Sequence, residues 1–208
     1  MKQGFDSPRE TWNSRYAQDS YLFGIQPNVF LQSQRHRLVP GMKALAVADG
    51  EGRNSVWMAR QGLVVTAFDI ARVGVDKARK LAAASGVTVD FHNESVENWV
   101  WTDASYDVVA AIFIQFAAPD QRQALFEGML ATLKPGGLLI LQGYTPRQLG
   151  YKTGGPSLVS HLYTAELLKT TFAAQEILEL REHDTELFEG SQHHGMSALI
   201  DCVVRRLA

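Results

Sequence analysis

The sequence is poor in cysteine, in long apolar runs and in any excess of charge. Its one cysteine, Cys202, excludes an internal disulfide and fits a reducing compartment. With Ala198, Leu199, Ile200, Val203 and Val204 around it, Cys202 reads as a buried structural thiol rather than a nucleophile. No apolar run approaches the roughly 20 residues that a bilayer span needs. The opening MKQGFDSPRE has no signal-peptide core, so a soluble, cytoplasmic protein is expected. Twenty basic residues face 22 acidic ones, a formal net charge of −2, with no basic excess to draw a polyanion. Arg35-His36-Arg37 and Arg72, Lys77, Lys80 are short clusters of the sort carried on solvated helix faces. The expected partner is a small molecule, with no nucleic acid and no membrane, and the chain is expected to be a monomer or weak homodimer. His193 and His194 form a pair, but no acid or cysteine stands at matching ligand spacing, so no metal is expected.

What is present centres on residues 43–69. An apolar run (Ala44, Leu45, Ala46, Val47) leads into the polar turn Asp49-Gly50-Glu51-Gly52, then a helix opening near Asn54 or Ser55, then the strand of Val64, Val65 and Phe68, which ends at Asp69. Gly50 and Gly52 would let backbone approach a ligand that a Cβ would push away, and the helix start offers unpaired N–H groups. An acid about 20 residues past a glycine turn reaches two ribose hydroxyls in doubly wound folds, and Asp69 lies in that window. A ligand carrying adenosine is implied. The bland alternative is a ligand-free tight turn, with Asp69 as a helix N-cap.

The first forty residues are rich in aromatics: Phe5, Trp12, Tyr16, Tyr21, Phe23 and Phe30. Ser7-Pro8 predicts a helix over Pro8–Tyr16, and Gly24 and Pro27 mark a loop before a second helix, Val29–Leu38. This segment reads either as a cap on the sheet's side or as a lid over its carboxyl edge. Further on, Val73–Ser85 has helical spacing and stops at Gly86. Val87–Phe91 predicts a strand, Tyr106–Ile114 a central parallel strand, Pro119–Leu133 a helix and Leu138–Leu141 a fifth strand, with Lys134 to Gly137 as the break. Five strands alternating with four helices give a parallel sheet. After a helix at Thr164–Phe172, the runs Ala174–Phe188 and Ser197–Arg206 are separated by eight residues, too few for a crossover helix, so they should pair as an antiparallel hairpin.

Taken in order, Trp12-x-x-Arg15-Tyr16, Tyr21-x-Phe23-Gly24-x-x-Pro27-Asn28-x-Phe30-Leu31, Gly50-Glu51-Gly52-Arg53-Asn54-Ser55, Gly143 to Leu149 and Thr153-Gly154-Gly155-Pro156 carry a resemblance. The chain resembles class I S-adenosylmethionine-dependent methyltransferases and, among them, the bacterial tellurite-resistance type. It departs where Ala46 and Ala48 take the places of the family's first acid and first glycine, with Asp49 close enough to substitute. Ser95, beside Glu94, stands where an acid is common. The resemblance implies an α/β, three-layer Rossmann-like open sheet of seven strands, the first five parallel and the last two an antiparallel hairpin. It also implies a single methyltransferase domain: an N-terminal helical cap (1–40), a cofactor-binding core (43–143), and a flap, helix and terminal hairpin (144–208).

On that resemblance the cofactor is S-adenosyl-L-methionine. Asp69 would hold its ribose, Ile70 its adenine face, and the Ser95-Val96 backbone the base edge. Asp49, Gly50, Gly52 and Ile112 would complete the cradle. Arg53 in a first helical turn opposes the macrodipole and either meets the cofactor's carboxylate or turns to solvent. Tyr21 and Phe23 either face the sulfonium or pack in the core. The glycines of residues 150–155 suit a mobile flap or an ordinary wide turn. His193 is the candidate catalytic residue, orienting an anionic acceptor or taking a proton, and His194 reads as a solvated loop residue. The acceptor implied is small and soft or anionic, a thiol or chalcogen oxyanion, which needs no base. An alcohol or amine would need one, from His193, Asp184 or Glu189. The alternatives are oxygen or carbon methylation of a small metabolite, and a non-catalytic S-adenosylmethionine-binding module.

Overall fold

The computed structural model describes residues 7–208; Phe5, one of the N-terminal aromatics, lies outside the described residues. Helix α1 (Pro8–Tyr16) starts where its sequence says it should, with Ser7 accepting from the Glu10 N–H and proline in the first turn. Helix α2 (Val29–Ser33) is capped by the Asn28 side chain and tightens into a 3-10 turn at Gln34–Arg37, so the predicted single helix changes type midway.

The sheet strands are β1 (Lys43–Val47), β2 (Val64–Asp69), β3 (Asp90–Asn93), β4 (Tyr106–Ile112), β5 (Leu133–Tyr144), β6 (Glu176–Glu189) and β7 (His193–Arg205). The helices between and after them are α3 (Arg53–Arg60), α4 (Arg72–Ala84), α5 (Pro119–Thr132), α6 (Gln148–Tyr151) and α7 (Ala165–Thr171). The seven strands lie in the order β3-β2-β1-β4-β5-β7-β6. The first five are parallel, and β7 runs antiparallel to both β5 and β6.

Central strands are buried on both faces. Leu45, Val47, Val109, Ala111, Leu139 and Leu141 pack beneath Phe126 and Met129 of α5 and Leu168 of α7. Ala44, Ala46, Val108, Ala110 and Ile140 meet Trp57 and Met58 of α3 and Phe30 and Leu31 of α2. The alanines on that second face leave room for the indole.

Three predicted details are corrected. Among the described residues the strands β1 to β5 are joined by three helices, not four, because residues 94–105 cross from β3 to β4 as turns and extended chain. The terminal hairpin loop is three residues, 190–192, because β6 runs on through Glu189 and β7 begins at His193. Lys134 to Gly137 do not end an element; they bulge within β5, where pairing jumps from Tyr106↔Leu133 to Val108↔Leu138.

Gly52 joins α3 to α4. Its φ is +90°, and an added Cβ would stand 2.6 Å from Ala78 Cβ and 2.8 Å from its Cα. Gly41 has the same φ with nothing within 4 Å. Gly41→Ala should therefore cost about 1 to 2 kcal/mol from backbone strain alone. Gly52→Ala should cost clearly more in urea titrations, and equal losses would show that the α3–α4 contact is soft.

Candidate functional site

The parallel register brings the ends of β1 and β2 together at Val47↔Phe68, so the turn after β1 and the acid ending β2 meet at the sheet's carboxyl rim. The Gly50 N–H donates to Asp69 Oδ2 at 2.9 Å and the Ala71 N–H to Oδ1 at 2.8 Å. Asp49 accepts from the Ser55 N–H at 3.3 Å and from the Ser55 hydroxyl. Glu51 accepts from the Leu22 N–H at 2.7 Å and pairs with Lys77. Burial pushes Asp49 up to about 7, against its Ser55 hydrogen bonds and with help from the Asp69 charge. Burial likewise pushes Asp69 up to about 6, against the two N–H donors and with help from Glu51. The rim thus holds more negative charge than Lys77 offsets. Ala48 enters the turn at φ +48°, a left-handed conformation that a glycine would adopt without strain.

The other predicted cradle residues divide. Gly50 does carry a bare backbone face, but the Tyr16 phenol lies on it: a Cβ there would stand 2.7 Å from the Tyr16 hydroxyl. A Cβ added at Gly74 would stand 3.0 Å from the same ring. Gly52 faces Ala78 rather than a ligand. Ile70 follows Asp69 at the rim, with its carbonyl held by Asn93 at 2.9 Å. The Ser95 N–H is taken by Glu94 at 2.9 Å and its carbonyl by Trp99 N–H at 2.9 Å, so that backbone is already satisfied locally. Val96 packs with one core and Ile112 with the other, on opposite faces of the sheet. Tyr21 packs on Val56, Leu81 and Ala82 and bonds the Lys77 carbonyl at 3.2 Å. The cation over its ring is Lys77, 4.9 Å from the centroid, and these contacts are those of the packing alternative.

Phe23, by contrast, turns inward. Its ring centroid lies 4.4 Å from that of His193, whose other neighbours are Phe113 at 4.3 Å and Tyr144 at 5.9 Å. Phe113 follows β4 in the left-handed region, at φ +56°, and its N–H is held by the Gln142 carbonyl at 2.8 Å. A bulky residue at positive φ is uncommon and costs energy that the surroundings must supply. His193 Nδ1 faces Glu189 Oε2 at 3.7 Å, a distance for charge attraction rather than a closed hydrogen bond. Glu189 Oε2 is also 2.8 Å from the Arg53 guanidinium, and Oε1 accepts from Asn28 Nδ2 at 3.0 Å and from the Val29 N–H at 3.1 Å. Burial alone would raise Glu189, but His193, Arg53 and the Val29 N–H outweigh it and hold the carboxyl at about 2. Burial lowers His193, with the Arg53 charge adding to it and Glu189 opposing. Burial thus favours the neutral form of the imidazole, beside a carboxylate whose partners favour its ionised form. Arg53 does have a partner, inside the chain. His194 is exposed on the other face, against Phe188 at 5.2 Å.

The wide turn of residues 144–156 is docked on β7. Gln148 accepts from the Ala198 N–H at 2.8 Å and donates to Thr153 at 3.0 Å and to the Gly154 carbonyl at 3.1 Å. Two residues central to the site were not singled out from sequence as site residues. Tyr16 was one aromatic among six. Asn28 sits in Pro27-Asn28-Val29, which signals a helix N-cap but not the second task its amide performs.

Residues 44–137 match the family described as a methyltransferase domain. A "Ubiquinone biosynthesis O-methyltransferase" of Xanthomonas axonopodis pv. citri is 36% identical over 145 residues, covering 68% of this chain and 60% of the relative. A namesake from Pectobacterium atrosepticum is 37% identical over 106 residues, covering 50% and 44%. The chain thus spans about half to three fifths of the length of these relatives. Among solved structures, a protein studied for conversion of a disulfide bond into a thioacetal group during echinomycin biosynthesis superposes with a TM-score of 0.78 at 15% identity, over 96% of this chain and 92% of its own. TehB from Haemophilus influenzae superposes with a TM-score of 0.70 at 15% identity, over 95% and 66%. A SAM-dependent methyltransferase from Methanosarcina mazei superposes with a TM-score of 0.69 at 17% identity, over 83% and 96%. The likeness of fold to these structures extends well beyond the matched segment.

The raised acids set a sign for pH dependence. Between about pH 4 and 7 the unfolded chain has released the protons that Asp49 and Asp69 still bind when folded, so their contribution to stability falls as pH rises through that window. Asp49→Asn should flatten that fall in thermal melts taken from pH 4 to 8, and an unchanged slope would show that Asp49 is ionised throughout.

Proposed function

We propose that the protein is an S-adenosylmethionine-dependent methyltransferase acting on a hydroxyl of a small molecule. The observation that carries the cofactor is Asp69 at the rim, anchored by Gly50 and Ala71, with the second lone pairs of both oxygens left for ribose hydroxyls. The chemistry of the donor set fits a cationic ligand. Asp49 and Asp69 are buried with their ionised forms disfavoured, and added positive charge relieves that cost. Asp69 would hold the ribose and Asp49 would face the charged methionine end. Tyr16 lies on Gly50, so entry of an adenosyl group moves that ring. When bound, the cofactor supplies an electrophilic methyl on sulfur.

His193 carries the choice of acceptor. A thiolate or chalcogen anion, the acceptor first expected, needs no base, yet the site builds one. Burial keeps the imidazole neutral, Glu189 draws the proton to Nδ1, and Nε2 is left to take the acceptor's hydroxyl proton. The nearby carboxylate stabilises the imidazolium that results. Phe23, Phe113 and Tyr144 wall the imidazole off from water, which strengthens that attraction. The relatives' name, ubiquinone biosynthesis O-methyltransferase, agrees with an oxygen acceptor. The second reading is a non-catalytic S-adenosylmethionine-binding module, in which the same rim holds the cofactor without an acceptor.

Asp69→Ala should weaken S-adenosylmethionine binding by about 1 to 3 kcal/mol in calorimetry, the scale for losing charge-assisted hydrogen bonds; unchanged affinity would refute the ribose role. His193→Gln should lower turnover of hydroxyl acceptors by about 10² to 10⁴ with little change in cofactor affinity. Binding by the wild-type protein with no turnover across phenols, alcohols and thiols would favour the module.

A further inference from the structure

The base proposed above depends on a carboxylate that is itself placed from outside the hairpin. Glu189 lies on β6 and has two oxygens with different partners. Oε2 faces Arg53 at 2.8 Å and His193 at 3.7 Å, while Oε1 takes the Asn28 amide at 3.0 Å and the Val29 N–H at 3.1 Å. Asn28 is fully buried, and all of its side-chain capacity directed inward is used. Its oxygen accepts from the Leu31 N–H at 2.9 Å as the cap of α2, and its nitrogen donates both to Glu189 and to Gln142 Oε1, at 2.7 Å. With the oxygen held by an N–H and the nitrogen by two acceptors, the amide has one orientation. Gln142 is in turn held by the buried Asp201, at 2.6 Å, and the Asn28 N–H donates to Asn54 Oδ1 at 2.9 Å. Asn28 is thus a fixed strut between the N-terminal segment, β5, α3 and the tip of the hairpin.

The N-terminal segment also meets that tip directly. The Ser191 N–H donates to the Leu22 carbonyl at 3.0 Å, and Gly190 lies so close that an added Cβ would stand 2.4 Å from the Leu22 oxygen and 2.5 Å from the Gly24 nitrogen. A simple helix cap needs only the Leu31 bond. The amide's second and third bonds run to the Glu189 carboxylate itself and to Gln142.

We propose that Asn28 is a positioning residue for the base: it holds Glu189 Oε1 so that Oε2 stays turned toward His193, and seating of the N-terminal segment thereby completes the Glu189–His193 pair. This rests on the functional reading above, in which His193 takes the acceptor proton. The alternative position for the carboxylate is a two-pronged pairing with Arg53, which an arginine fork favours and which would leave His193 without its partner. The charged and titratable groups that face His193 are Glu189 on β6, Arg53 on α3, Arg15 on α1 and the Tyr144 phenol on β5; Phe23 and Phe113 bring no charge.

The test compares Asn28→Ala, Asn28→Ser and Glu189→Gln in the full chain. Serine retains a capping oxygen for α2 but has no amide to reach Glu189, so it reads the strut even where alanine fails to fold. Imidazole nitrogen NMR across pH reports the His193 midpoint and tautomer without any turnover. In the wild-type protein the Nδ1–H tautomer is expected. In Asn28→Ser the midpoint should move down, the same direction as in Glu189→Gln, with the two tautomers mixed. Turnover should fall about tenfold to a hundredfold, part of what a general base contributes, with cofactor affinity retained. A folded Asn28→Ser protein whose His193 midpoint and tautomer match the wild type would overturn the proposal, since loss of a helix cap alone would leave them in place. A wild-type protein that fails to bind S-adenosylmethionine would remove the functional reading, and the His193 spectra would still decide the role of Asn28.

Discussion

A buried carboxylate cannot stay ionised alone, and Glu189 is the place where this chain meets that constraint most heavily. Its side chain draws in Arg53 from the turn after β1, Asn28 and the Val29 N–H from the N-terminal segment, and His193 from the next strand. Removing a partner from such a cluster leaves charge uncompensated in a medium that screens poorly. The hairpin, the N-terminal segment and the glycine turn are therefore tied to one another through a single negative group. Gln142 and Asp201 extend the polar chain inward across β5 and β7, and His183 and Arg181 carry it to the surface of β6.

A second electrostatic theme runs along the rim. Asp49, Glu51 and Asp69 are crowded by the register of β1 against β2, and one lysine, Lys77, answers them while also bonding the carbonyls of Gln18 and Ser20 at 2.9 and 2.7 Å. The N-terminal segment is thus fastened at one end to α4 through Lys77 and at the other to the hairpin through Ser191. On either side of those points it carries Tyr16, which covers the Gly50 backbone, and Phe23, which packs on His193. On the proposed reading, the carboxylate-rich rim would hold the cofactor's cation and the imidazole behind it would take the acceptor's proton.

Much of this was readable from residue order. Alternating apolar runs and helix punctuation give the parallel sheet, and the short spacing before the last strand gives the antiparallel partner, because no crossover fits in so few residues. Asp69 was placed by its distance from Gly50, since the rise of one helix and one strand sets that separation. Other roles were hidden. Gly52 is needed for Ala78, beyond α3 and β2 in α4, and glycine at a turn looks alike whether it faces a ligand or a helix. Tyr21 and Phe23 are two residues apart and share a composition signal, yet one packs on α3 and α4 and the other on His193.

The sequence by itself determined the periodicities, and hence the doubly wound sheet with its terminal hairpin, together with the rim position of the glycine turn and Asp69. These follow from local backbone geometry and from burial patterns that repeat every few residues. Only the tertiary structure decided that Arg53 answers Glu189, that Asn28 braces the same carboxylate, that Tyr16 rests on Gly50, and that His193 is buried and neutral. Each of those depends on which side chains from distant segments share a dry volume, and a charge's partner and proton affinity are set by that shared volume rather than by its neighbours in the chain.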